Sequence, residues 1–260
     1  MTEVNESAES LVATLGEYAE FYDGLSFGVM SFVPIGTRSV LSLDTYLMGS
    51  MASTLRGMAA LVTLGNINDA FALARKLYDA ALIGTYINLY LQRNAQPGKP
   101  LVERIDGWIT GAKALPRTGE IAKYVDAAQE LNAVRPCLSE LDYVGVRERC
   151  NDQTHHNFLD HLILNDGRVR LRSRAEWIRQ LGVDTLDIII LHLAYSFCLS
   201  GHYMMSSDYM DALEVGMTPE HGSEDWVAPY VQAFLTEQVE PRCPGLIAAL
   251  RQETGMELVG

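Results

Sequence analysis

The sequence predicts an all-α protein, a single-domain helical bundle over residues 1–260 built on a long antiparallel helical hairpin. Three observations carry this. Apolar residues recur at three- and four-residue steps through most of the chain, the spacing that lines one face of a helix. Two long stretches of this kind meet at a very short junction around Gly65, and so brief a connection makes neighbouring helices antiparallel. The chain has 48% hydrophobic and 20% charged residues and no internal repeat, low-complexity tract or linker, so its length suits one large globular domain.

Taken in order, Leu11, Leu15, Tyr18, Phe21 and Tyr22 mark an amphipathic helix over 3–24 that ends near Gly24. Residues 27–35 are apolar and are punctuated by Pro34 and Gly36, which reads as a buried connector. Leu43, Leu47, Met51, Leu55, Met58 and Leu61 then mark a helix over 39–64, whose Ala, Gly and Ser allow close approach by its neighbours. Asn66 or Asn68 caps the second arm of the hairpin, which runs through Phe71, Leu77, Leu82, Tyr86 and Leu89 to Asn94. Residues 96–100, reading QPGKP, are a loop. A short helix over 101–109, a loop over 112–119 and a helix over 121–134 follow, and Pro136 interrupts. The central helix starts at about Cys137 or Val146 and continues to 164. Asn165-Asp166-Gly167 signals a turn and residues 168–171 alternate like a strand, leaving room for a minor β-hairpin near 162–171. Asp184 is expected to cap an apolar helix over 185–210, with Asp187 in its first turn. Helices over 226–239 and 246–251 complete the bundle, whose core spans 39–164 and 184–253.

The net charge of −13 repels polyanions at long range, so RNA as a partner is disfavoured and would need a local basic patch. Cys137, Cys150, Cys198 and Cys243 form no C-x-x-C pair or zinc spacing and read as reduced thiols of a cytoplasmic protein. The acidic N-terminus lacks the features of a signal peptide. The most apolar run, 186–199, is interrupted by Asp187 and His192 and falls short of the ~18 residues of a membrane span, so no membrane partner is expected. Motifs that cradle nucleotides or form a hydrolase elbow are missing, and no cofactor is expected.

Chemistry concentrates in residues 143–167, where three of the six histidines fall within seven residues. Arg149, Asn151, Asp152, His155 and His156 are the candidate catalytic set. On a continuous helix Arg149 and His156, seven apart, lie within about 20° of one face. His155 sits roughly 100° round, nearer Asn151, Asp152 and His161. The segment Arg149-Cys-Asn-Asp-Gln-Thr-His155 resembles the R-x(4–6)-H motif of the HEPN superfamily, and Arg149 with His156 fits it with one more intervening residue. The departure is Cys150, which stands where that family usually has Asn, Asp or His. The resemblance implies a helical, metal-independent ribonuclease, with toxin or antiphage roles, a homodimeric site and a protein antitoxin as partner. Arg149 would hold phosphate, His155 or His156 would move protons, and Asn151 or Asp152 would orient the imidazole. Arg168, Arg170, Arg172, Arg174 and Arg179 would add phosphate contacts.

Two other readings stand beside it. Arg149, Asp152, His156 and Asp160 can form an ordinary polar network between helices of a non-catalytic interaction module. A metal-dependent hydrolase would instead use His155 or His156 with Asp152 and Asp160, joined by His202 or Asp208.

Overall fold

In a computed structural model the described residues are 2–31, 41–95, 102–166, 169 and 171–260. The chain is all-α: helix accounts for 74% of it, and the described residues contain no strand, only an isolated bridge between Met205 and Val227. Twelve α-helices are described: α1 Thr2–Ser31, α2 Leu41–Thr63, α3 Ile67–Asn94, α4 Glu103–Ile109, α5 Thr118–Asp126, α6 Arg135–Leu138, α7 Tyr143–Thr154, α8 Leu159–Ile163, α9 Arg174–Leu199, α10 Asp208–Glu214, α11 Pro229–Phe234 and α12 Leu246–Thr254.

The chain divides into two compact units. The first comprises Met1–Gly24, Met48–Ala80 and Leu141–Ile189; the second comprises Leu25–Leu47, Ala81–Glu140 and Ile190–Gly260. In the first unit, α2 and α3 form the expected hairpin. Gly65, at φ +80°, lets the chain turn at once. The Gly65 N–H donates to Val62 (3.0 Å) and the Asn66 N–H to Leu61 (2.8 Å), a Schellman closure of α2. A Cβ on Gly57 would sit 3.0 Å from Leu73, so the absence of a side chain there lets the two arms approach. Leu11, Leu15, Tyr18 and Tyr22 of α1 are buried in this unit. Arg174, at the start of α9, donates to the carbonyls of Ile163 (3.1 Å), Leu164 (2.6 Å) and Asp166 (2.8 Å) and so closes the C-terminal end of α8.

The second unit is held differently. Tyr86, Tyr90 and Tyr124 stack in a cluster with centroids 5.1–6.2 Å apart, and Arg93 lies over Tyr124 while gripping Glu130 with two hydrogen bonds of 2.7 and 2.6 Å. Asp44, His192 and Thr85 are buried in it.

Several boundaries differ from the sequence expectation. The first helix does not stop at Gly24 but continues to Ser31, because Leu25 and Val29 extend the buried stripe of Tyr18 and Tyr22. Residues 32–35 of the expected connector and the loop at 96–100 lie outside the described residues. The helix expected over 121–134 ends at Asp126, and Pro136 sits in the first turn of α6 rather than interrupting. Leu162 and Ile163, expected to begin a β-hairpin, are helical in α8; 167, 168 and 170 lie outside the described residues. The apolar helix begins at Arg174 and ends at Leu199, so Asp184 lies in its interior and caps nothing. By length and composition α9 could cross a membrane, yet most of its apolar stretch is buried inside the protein.

Candidate functional site

The central segment is two helices, not one. Asp142 caps α7 by accepting the Gly145 N–H at 2.9 Å. At the other end His155 is the C-cap and His156 takes φ +51°, the left-handed conformation usually left to glycine. The Asn157 N–H donates to Asp152 (3.1 Å) and the His156 N–H to Gln153 (3.3 Å), so α7 closes with a Schellman motif carrying a histidine in the glycine position. The angular pairing of Arg149 with His156 therefore lapses, since it required one continuous helix. Both His155 and His156 are exposed.

Arg149 is tied down on three sides. Its Nε and Nη2 donate to the two oxygens of Asp184 at 3.0 and 2.6 Å, and its Nη1 donates to Asp142 at 3.1 Å. Asp184 is 0% exposed, whereas the Arg149 side chain keeps 27% of its surface. The Asp184 carboxylate bonded to it raises the guanidinium pKa above its ordinary value, with Asp142 adding to the effect, so the charge is permanent. Gln180 donates to the same Asp184 at 2.8 Å. This fork-on-carboxylate pair explains how α9 accepts an acid in its apolar interior: a partly buried cation meets it there.

Asn151 is bound from another direction, accepting from Arg75 Nε at 2.9 Å, and Arg75 also pairs with Asp79. Asp152 accepts from Asn157 Nδ2 at 2.7 Å. Gln153, which sequence reasoning passed over, is fully buried and receives Asn68 Nδ2 at its carbonyl (2.7 Å) and at Oε1 (2.8 Å). Cys150 is buried, and burial pushes its thiol up to about 12, which removes it as a nucleophile at neutral pH.

A pocket of about 430 Å³ opens beside this network, lined by Arg149, Asp152, Phe158, Leu159, Asp160, His161 and Trp177. It brings together Arg149 and Asp152 of the expected set and leaves out Asn151, His155 and His156. The histidine it does contain is His161, 4% exposed, whose Nδ1 lies 3.0 Å from the Asp152 carbonyl. A carbonyl only accepts, so Nδ1 is the protonated nitrogen. The ring stands edge-on to Phe158 (5.2 Å, 88°) and Trp177 (5.7 Å, 90°). Nothing local marked His161 above its neighbours, and Asp184 lies 35 residues from its partner. Asp184 and Asp187 inside the apolar helix are the available signal, and they read equally as a cap and a first-turn acid.

Among the described residues no three of His, Cys, Asp and Glu gather as a metal-binding set. His202, named for the metal reading, packs edge-on against Tyr203 (4.6 Å, 71°), and Asp208 pairs with Ser206. Comparison of the chain with protein-family models, characterised proteins and solved structures finds no match in any of the three.

Proposed function

We propose that the chain is a non-catalytic α-helical interaction module whose central polar cluster is structural. One observation carries this reading: the Nε, Nη1 and Nη2 of Arg149 are all engaged by carboxylates of the same unit. A phosphate would have to displace Asp184, and stripping a buried carboxylate of its cation costs about 3–5 kcal/mol. The proton-moving histidines of the alternative, His155 and His156, stand in solvent at the end of α7 and outside the pocket. Phe158, just before α8, and Leu159 and Leu162 on it, at 61, 69 and 53% exposed, supply the apolar surface an interaction module needs.

The metal-independent ribonuclease is the second reading. In its favour, Arg149 and Asp152 line one pocket with a histidine, although that histidine is His161. Incubating the purified chain with cellular RNA in EDTA separates the two. The structural reading expects no cleavage attributable to the protein. Cleavage that disappears both in Arg149→Lys and in the His155/His156 double alanine variant would overturn it in favour of the ribonuclease. Cleavage that survives that pair but disappears in His161→Gln would overturn it too, and would move the catalytic histidine to the pocket.

A further inference from the structure

We propose that the α7–α8–α9 pocket binds a small organic ammonium compound, a primary amine carried on a compact apolar body. The inference goes beyond the interaction-module reading: it concerns a small ligand in the pocket, whose edge shares Phe158 and Leu159 with that apolar surface.

The pocket volume of about 430 Å³ lies in the range that encloses small ligands. Its walls divide by chemistry. Phe158 and Trp177 present ring surface, which attracts a cation as well as an apolar body. Its polar lining includes two carboxylates beside the Trp177 indole N–H and the Arg149 guanidinium. Asp160 is exposed, and its carboxylate makes no hydrogen bond or ion pair among the described residues. The Asp152 carboxylate accepts from the uncharged Asn157 amide, so its negative charge is not cancelled there.

His161 provides the independent sign of a ligand. The side chain is almost wholly buried, it lines the pocket, and Nδ1 is spent on the Asp152 carbonyl. In the neutral ring Nε2 is then a bare acceptor, and it has no hydrogen-bond partner among the described residues. An incoming N–H would satisfy it.

Charge selects the same ligand. Among the described residues the one arginine or lysine lining the pocket is Arg149, already shared between Asp184 and Asp142, so those three groups sum to −1. Asp152 and Asp160 each add another negative charge. An anionic ligand would meet this net negative charge, and an ammonium would find two carboxylates, an imidazole nitrogen and two ring faces.

The test titrates the full chain with 2-phenylethylamine, its neutral counterpart 2-phenylethanol, phenylacetate and inorganic phosphate, each followed by calorimetry. Binding of the amine alone is the expected result, with affinity falling about tenfold in Asp160→Asn, the loss of one charge-assisted hydrogen bond. Asp160 is exposed, so that variant should melt with the parent. Equal binding of the alcohol would reduce the site to an apolar hole and overturn the proposal. Binding of phosphate or phenylacetate would overturn it as well, and would return Arg149 to the role of anion holder. No binding of the amine, or an Asp160→Asn variant that binds it undiminished, would likewise overturn it.

Discussion

The first unit buries Asp184 and the second buries Asp44, and these two carboxylates are held by different means. In the first unit Asp184 faces the Arg149 guanidinium in a two-pronged pair, with Gln180 in support. In the second unit Asp44 is hydrogen-bonded by neutral side chains instead. It accepts from the Tyr203 hydroxyl and from Asn88 Nδ2 at 3.1 Å, both neutral donors. Burial pushes Asp44 up to about 6, outweighing the two hydrogen bonds that pull it down. The difference shows what a counter-charge does that neutral donors do not. Hydrogen bonds from neutral donors favour the ionised acid in part, and an opposite charge adds Coulombic attraction that is strong in a low-dielectric interior.

Removing the cation from the first unit is therefore the largest perturbation available. Arg149→Ala leaves Asp184 buried with Gln180 alone, and the expected loss is about 3–5 kcal/mol, read as a drop in the urea midpoint. Arg149→Ala combined with Asp184→Leu removes both charges and should recover most of that loss, since an apolar pair of similar volume is tolerated where a lone charge is not. If the single variant unfolds with the parent, the pair is not holding the unit, and the comparison between the two carboxylates collapses.

The second unit should answer to pH. The folded pKa of Asp44, about 6, lies above its unfolded value of 3.8, so the folded state holds the extra proton between those limits. Stability from this group is present in full below about pH 4 and is lost as pH rises through about 6. His192 runs the other way. Burial lowers it from 6.5 to about 4, so the unfolded state holds the extra proton, and stability is lost as pH falls from about 6.5 to 4. Each effect is on the order of 3 kcal/mol, and the two oppose each other over nearly the same window. Removing either group should unmask the other. In Asp44→Asn, stability should climb with pH between about 4 and 6.5, and in His192→Gln it should fall. Parallel slopes in the two variants would show that neither group titrates as its burial dictates.

The contrast between the units also separates what the sequence could disclose from what it could not. The all-α class and the hairpin junction were legible because period and glycine are local signals, read within a turn or two of where they act. Gly65 marks the end of α2 in plain sight. The end of α7 has no such mark: His156 adopts the glycine conformation, so residues 137–164 read as one helix with Arg149 and His156 on one face of it. The Arg149–Asp184 pair is hidden for another reason, since nothing in a periodic pattern says which distant charge will neutralise an interior acid. The pocket depends on both facts at once. The break after α7 lets α8 bring His161 and Phe158 back beside Arg149 and Trp177, an arrangement that arises only in three dimensions.

The smallest expected effect lies on the solvent side of Arg149. Asp142 is largely exposed, and its pKa is lowered first by the Gly145 N–H that it caps and then by Arg149. Its two roles can be separated. Asp142→Asn keeps an acceptor for the cap and removes the charge, so it should cost no more than about 0.5 kcal/mol, typical of an exposed ion pair. Asp142→Ala removes the cap as well and should cost about 1 kcal/mol. Gly145→Ala should resemble the alanine variant, because a Cβ there would run into the Asp142 carboxylate and come within 2.7 Å of Arg149 Nη1. Should Asp142→Asn prove as damaging as Arg149→Ala, the weight of the network would rest on its exposed arm, and the buried pair with Asp184 would no longer be what distinguishes the first unit from the second.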